Sequence, residues 1–330
     1  MDQEKLNNFL DIYKQDQMKL VKFLDDYGNK KEDLNHAIDS FNQIYSKSRS
    51  YFFNNREHSF QMINTEDFFQ LCLLNNIKLL SYSPVENKYI LKSDEGIIFA
   101  TNNRILTAEG IFAWNDYMVP QLYIFEEFVV FDIGMNRGYA SLKFANFDSC
   151  KAVYGFEIDE DTYNLASQNF KFNPHIQHKI RSYNFGLSDL DDDVDLYYIP
   201  GSDGITTTEL EFTNIAGEWI RRKEDMKIKK ASVKSAGTIL SQIIEEDNIS
   251  SNIVLKIDTE GSEYKIIDDL INKGVLDKVD LILGETHLDS ENLSSRLIGF
   301  KKVSKNYDDD VSTFCFVKEE YYDELPLAKN

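Results

Sequence analysis

From residue 128 onward, apolar runs of strand length alternate with stretches of helical period, and this alternation limits the possible folds more than any other feature of the chain. The strand-like runs are 128–134, 152–158, 180–186, 194–199, 252–258, 279–286, 299–304 and 312–318. Helical stretches at 138–147, 160–171, 234–246 and 262–273 fall between many of them. Parallel neighbours need a long crossover, usually a helix, so this order predicts an α/β fold with a doubly wound, mostly parallel sheet. The last two runs leave no room for a helix and predict an antiparallel hairpin at the sheet edge. Residues 201–232 fit no strand–helix unit. Their Gly201-Ser202-Asp203-Gly204 and Thr206-Thr207-Thr208 stretches predict a lid or insertion.

The rest of the chain reads differently. Leu6, Leu10, Tyr13, Leu20, Leu24 and Tyr27, then Leu34, Ala37, Ile38, Phe41, Ile44 and Tyr45, recur at helical steps on either side of Gly28-Asn29. Residues 1–60 are therefore expected to form a helical hairpin extension. It packs on its own domain, or it serves homodimerisation or partner docking. Residues 61–127 are a mixed α/β lead-in: a buried helix at 68–74, then two strands joined by the Ser93-Asp94-Glu95 turn. The methyl-bearing core pattern ends near 320, leaving 321–330 as a tail.

Composition excludes several classes. Of 330 residues 42% are hydrophobic, enough for a sizeable core, and the formal net charge is −20. A surface of that sign repels phosphate backbones, so no nucleic acid partner is expected. Arg221-Arg222-Lys223 with Lys227, Lys229 and Lys230 is the one basic patch, and it reads as a solvated helix face. Cys72, Cys150 and Cys315 share no metal-binding spacing and read as reduced thiols of a cytoplasmic protein. The start of the chain has no signal-peptide pattern, and no run approaches the roughly 18 apolar residues of a transmembrane segment. Peripheral contact with a membrane assembly remains compatible with this.

The turn after the first main strand is Asp132-Ile133-Gly134-Met135-Asn136-Arg137-Gly138, and Glu157 closes the next strand-like run. Ligands of open α/β sheets bind outside the carboxyl ends of the strands, where strand order reverses. Gly134 and Gly138 are expected to let the backbone turn tightly beside a ligand. An ionised Glu157 offers two acceptor oxygens to ribose hydroxyls. A dinucleotide fingerprint has glycine where Asp132 stands and a gap one residue shorter before the last glycine. A carboxylate there repels a pyrophosphate and suits a cationic end. The pattern favours S-adenosylmethionine over NAD.

The second unusual stretch is Lys256-Ile257-Asp258-Thr259-Glu260-Gly261-Ser262-Glu263. It places two carboxylates at the end of a buried strand, and Ser262 is positioned to cap the next helix. Together with Gly155-Phe156-Glu157-Ile158-Asp159, Gly186-Leu187-Ser188-Asp189 and Glu285-Thr286-His287, these blocks occur in the order and approximate spacing of the FkbM-type methyltransferases, which the chain resembles over about residues 125–320. Met135 departs from the usual Ala, and Ile158 from the common Pro. The resemblance does not reach residues 1–60.

That resemblance implies a class I, Rossmann-like, seven-stranded fold. It also implies S-adenosylmethionine-dependent methylation of a hydroxyl on a sugar or glycan, as in capsule, lipopolysaccharide or glycoconjugate synthesis. A non-carbohydrate acceptor is the alternative, and a non-catalytic scaffold docking through its N-terminal helices a further one. By resemblance, Asp132, Gly134, Asn136 and Gly138 line the methionine end, and Glu157 holds the ribose. Ile158 and Leu187 flank the adenine, Asp189 reaches its amine, and Asp258 closes the pocket near the sulfonium.

An alcohol needs a base during attack. His287 is the first candidate, because a free imidazole titrates near pH 6.5, with Glu285 orienting it and Asp258 and Glu260 as rivals. Asp258, Glu260 and Glu285 also form an oxygen set that suits Mg²⁺, though nothing in the spacing demands a metal. Trp114, Tyr117 and Trp219 are aromatic candidates for stacking on a sugar ring.

Overall fold

The computed structural model describes residues 77–83, 88–101, 108, 110–114, 116–200, 202–214, 225–288, 293–303 and 312–322. The expected N-terminal hairpin, the helix at 68–74, Trp219, the 221–223 run, Cys72 and residues 323–330 lie outside them, as does the side chain of Trp114. The chain divides into two compact units at Asp116 and Tyr117.

In the first unit, Lys78–Ser83 (β1), Lys88–Lys92 (β2) and Ile98–Thr101 (β3) form an antiparallel sheet in sequential order. The β2–β3 turn closes through a Gly96 N–H bond to the Ser93 carbonyl at 3.1 Å. Gly96 takes φ +93° there, which a residue without Cβ does at little cost. Leu79, Leu91 and Phe99 fill the inner face, and Phe99 stacks on Phe112 with ring centroids 4.0 Å apart.

The second unit carries the expected seven-stranded sheet. Its strands are Phe128–Ile133 (β4), Cys150–Phe156 (β5), Ile180–Tyr183 (β6), Asn252–Ile257 (β11), Leu281–Thr286 (β12), Phe300–Lys302 (β13) and Ser312–Lys318 (β14), in the order β13-β14-β12-β11-β4-β5-β6. The run β12-β11-β4-β5-β6 is parallel, and β14 pairs antiparallel with β12 and β13 to make the edge hairpin. Strand order reverses at β4, which sets a crevice above its carboxyl end.

Every residue of β4 is buried, as a central parallel strand covered on both faces requires. Its side chains alternate. Val129, Phe131 and Ile133 join a core with Leu255, Ile257 and the helices Ala236–Glu246 (α3) and Glu263–Asn272 (α4), through Leu240, Ile243, Ile266 and Leu270. The opposite phase, which includes Asp132, faces the helix Tyr139–Ala145 (α1), where Ser141 meets it. Helix Glu160–Lys171 (α2) starts at Asp159, whose side chain accepts the Thr162 N–H at 2.9 Å.

Two stretches depart from expectation. The run read at 194–199 is strand Asp192–Ile199 (β8), but it lies outside the seven-stranded sheet. It belongs to a second sheet with Gly186–Ser188 (β7), Ser202–Thr207 (β9) and Lys227–Ser235 (β10), in the order β7-β10-β8-β9. Residues 201–232 thus hold one strand and most of another. Lys227, Lys229 and Lys230 sit on a strand and not on a helix face. Lys229 pairs with Asp159 at 2.5 Å and Lys230 with Asp195 at 3.0 Å. The lysines hid the two-residue period of Ala231, Val233 and Ser235. Cys150 and Cys315 are buried and free of disulfides, and burial pushes each thiol up to about 12. Among the described residues, no helix is long and apolar enough to cross a membrane.

Candidate functional site

A cleft opens above the carboxyl ends of β4, β5 and β11 and is walled on its far side by the second sheet. It holds about 630 Å³ of non-protein space, solvent at its mouth included. Sites for small ligands usually span roughly 300–1,000 Å³. Ile133, Gly134, Asn136, Glu157, Ile158 and Leu187 form one side, and Asp258, Thr259, Glu260 and Ser262 form the other. Leu196, Thr206, Thr208 and Val233 reach in from the second sheet.

The turn between β4 and α1 is built from left-handed backbone at Gly134 (φ +77°), Asn136 (φ +51°) and Gly138 (φ +73°). The sequence suggests that these glycines clear space for a ligand. The structure corrects this. A Cβ on Gly134 would lie 1.7 Å from the Asp258 carbonyl oxygen, and one on Gly138 would lie 2.4 Å from the Phe170 ring. Both glycines make room for protein, and Gly138 is not on the cleft wall. Gly134→Ala is expected to destabilise the fold by about 3 kcal/mol or more, from backbone overlap plus left-handed strain. A lower midpoint in urea unfolding checks it.

Glu157 is 7% exposed and lies on the cleft. Its Oε2 accepts the Asn136 N–H and its Oε1 the Asp159 N–H, each at 2.8 Å. These bonds fix the carboxylate and leave lone pairs on both oxygens. Burial pushes its pKa up to about 7 against the lowering effect of those two N–H groups. Ile158 packs beside Gly186, and Leu187 is buried on β7, so both face the cleft. Asp189 does not. It is exposed at the end of β7, where it accepts the Ser188 hydroxyl at 3.1 Å.

Asp132 is also corrected. Its side chain is fully buried and off the cleft. Register pairs Asp132 with Lys256 on the neighbouring strand, and the Lys256 ammonium lies 3.1 Å from Oδ1. Ser141 donates to Oδ2 at 2.5 Å. Lys256 further donates to the Gly134 carbonyl at 2.6 Å. Burial alone would lower the Lys256 pKa, but Asp132 and Asp258 hold it above the ordinary lysine value. The pair locks the ends of β4 and β11 together and presents no charge to a ligand.

The carboxylates of the other wall converge on His287, which is 3% exposed. Its Nδ1 lies 3.0 Å from Glu263 Oε1, and its Nε2 lies 3.3 Å from Glu260 Oε2, 3.7 Å from Glu285 Oε2 and 3.8 Å from Asp258 Oδ1. Phe212 meets the ring edge-on. Burial would lower the imidazole pKa, yet Glu260 and Glu263 raise it well above the ordinary value. Its Nδ1 is engaged by Glu263 and its Nε2 is turned toward Glu260. It also lies behind the cleft surface. The orienting role expected of Glu285 falls to Glu263, which is fully buried and also accepts the N–H groups of Thr259 and Gly261. Ser262 does not cap α4 with its side chain. Its hydroxyl meets Thr208 and donates to Glu209.

Glu260 does face the cleft. It holds φ +58°, a strained value for a residue with a Cβ, and Thr207 anchors its carbonyl at 2.6 Å. Burial pushes its carboxyl well above the usual range, His287 opposes this, and Asp258, Glu285 and Glu263 add to the rise. The oxygen-only set expected for Mg²⁺ is not the one that converges. Among the described residues, the groups whose ligand atoms all lie within 4.8 Å of one another are Asp258, Glu260 and His287.

The family model of the methyltransferase FkbM domain matches residues 132–297, just over half of the chain. The chain belongs to the FkbM methyltransferase family. Similar solved structures include methyltransferase FkbM from Methylobacillus flagellatus KT, at 13% identity over 58% of this chain and 43% of that one, with a TM-score of 0.36. A protein assigned as a tRNA (m1A22) methyltransferase from Streptococcus pneumoniae, bound to S-adenosyl-L-methionine, is 14% identical over 60% of this chain and 70% of that one, with a TM-score of 0.35. TrmK of M. capricolum with S-adenosylhomocysteine is 14% identical over 61% and 66%, with a TM-score of 0.33. Likeness at that level assigns no substrate. No match was found among curated proteins. This FkbM methyltransferase therefore has to be read from its own cleft.

Proposed function

We propose that this FkbM-family methyltransferase binds S-adenosylmethionine in the cleft and methylates a hydroxyl oxygen of a sugar or glycan. The observation that carries the reading is the pairing of two unlike walls in one cleft. One wall has a fixed strand-end carboxylate, Glu157, beside apolar Ile158 and Leu187, which suits a ribose and an adenine. The other has Asp258 and Glu260, acceptors that suit the several hydroxyls of a sugar. With a net charge of −20 and carboxylates at the acceptor side, a polyanionic acceptor is disfavoured.

When bound, the cofactor supplies an electrophilic methyl group on a sulfonium. The residues of the chain then have three tasks. Glu157 and the turn at Gly134 hold and orient the nucleoside side. Asp258 and Glu260 seat the acceptor hydroxyl. Glu260 takes the hydroxyl proton as the oxygen gains the methyl, with His287 Nε2 3.3 Å behind its Oε2. A base with a raised pKa is better matched to an alcohol than an ordinary carboxylate.

Labelled methyl transfer tests the reading. Incubation with methyl-labelled S-adenosylmethionine should label alkyl glycosides or oligosaccharides at oxygen, with tRNA unlabelled; label in RNA or on nitrogen would defeat it. The cofactor wall has its own test. Glu157 carries a proton below about pH 7, and ribose hydroxyls donate to the ionised form. S-adenosylhomocysteine affinity is therefore expected to rise roughly tenfold between about pH 6 and about pH 8, tracking the ionised fraction. Glu157→Gln should remove that pH dependence in calorimetry.

A further inference from the structure

Tyr117 lies ahead of the family-matched segment and is the first residue of the second compact unit. It adopts φ +67°, a left-handed conformation that a bulky aromatic residue rarely takes. Such outliers persist where the surroundings fix them, and they cluster at functional sites. Here the surroundings are specific. The phenol hydroxyl lies 2.8 Å from Asp258 Oδ2 and 3.3 Å from Glu285 Oε1. The Lys256 ammonium sits 5.1 Å from the centre of the ring.

The other oxygen of each carboxylate points elsewhere. Asp258 Oδ1 is 3.8 Å and Glu285 Oε2 is 3.7 Å from His287 Nε2. Each carboxylate is thus bracketed, with one oxygen toward the phenol and the other toward the imidazole. Asp258 Oδ1 is buried and has no hydrogen-bond partner among the described residues. We propose that Tyr117 is a positioning residue of the methyl-transfer site: its hydroxyl clamps Asp258 and Glu285 together on the side away from the His287 imidazole and sets the acceptor wall. This rests on the methyltransferase reading above for its effect on rate, but the clamp itself does not. Stacking on a sugar, suggested by the aromatic ring alone, is replaced by a role for the hydroxyl.

Tyr117→Phe removes only the hydroxyl and keeps the ring under Lys256. Crystal structures of the full chain and of this variant test the clamp directly. Asp258 and Glu285 are expected to turn away from their bracketed positions in the variant. In the same pair of proteins, kcat for an accepted glycoside should fall roughly 10–100-fold, because small misplacements of reacting groups cost that much. S-adenosylhomocysteine affinity and the melting temperature should stay at the parent values. Unmoved carboxylates overturn the clamp whatever the enzyme methylates. Moved carboxylates with unchanged kcat overturn its role in the reaction, as does a loss of stability and cofactor affinity in step with rate. A parent enzyme that transfers no methyl group would sink the proposed function instead, and the crystal structures would still decide the clamp.

Discussion

Glu260→Gln is expected to lower methyl-transfer turnover by roughly 10²–10⁴-fold, the usual contribution of a positioned base. The amide keeps the size of the side chain and removes the proton acceptor. Thr207 holds the backbone carbonyl of residue 260 and not its side chain, so the strained φ +58° should survive the change. Cofactor affinity should therefore stay near that of the parent, with kcat and kcat/KM falling together. Steady-state kinetics beside calorimetry with S-adenosylhomocysteine separates these. Turnover that persists in Glu260→Gln would move the base to Asp258, the other carboxylate on that wall. His287 is not the fallback, since it is buried behind the cleft wall with Nδ1 on Glu263 and Nε2 toward Glu260.

Lys256→Met should give the largest loss of stability. Asp132 is 0% exposed, and Lys256 is its counter-ion. Removing one partner of a buried pair leaves an uncompensated charge and costs about 3–5 kcal/mol. For a chain of this size that is a drop of roughly 4–7 °C in melting temperature. The double variant Asp132→Asn with Lys256→Met removes the stranded charge and should recover much of the loss. If the double variant is as unstable as the single, the Lys256 bond to the Gly134 carbonyl carries the effect instead. Thermal unfolding of the parent and three variants resolves the cycle.

The seven-stranded sheet was legible because period and length agree. The cores of β4, β5, β11 and β12 are apolar runs bounded by turns or helices, and nothing else in the chain competes for them. The cleft positions of Glu157 and Ile158 follow from where β5 ends. Asp132 was misread because its partner lies more than a hundred residues away. Only the parallel register of β4 and β11 sets Lys256 beside it, and register is a tertiary fact. A lysine inside an otherwise apolar strand was the signal that could have found it.

His287 was misread for a related reason. Its unperturbed pKa fits a base, but Asp258 and Glu260 from the loop after β11, and Glu263 at the start of α4, close around it only after folding. Glu263 stood in the motif and drew no role, although a carboxylate at a helix start that is fully buried must have partners. Tyr117 gave no sequence signal for its hydroxyl contact, because positive φ is not written in its residue type. The strands β9 and β10 were lost among lysines and threonines that read as a lid.

That second sheet has an evolutionary consequence. All four of its strands come from the continuous stretch between Gly186 and Ser235, while β4, β5, β11 and β12 lie outside it. Leu187, Leu196, Thr206, Thr208 and Val233 all reach the cleft from that stretch. Recombination or drift confined to it would therefore reshape one face of the cleft and leave the 258–263 loop and the main sheet as they are.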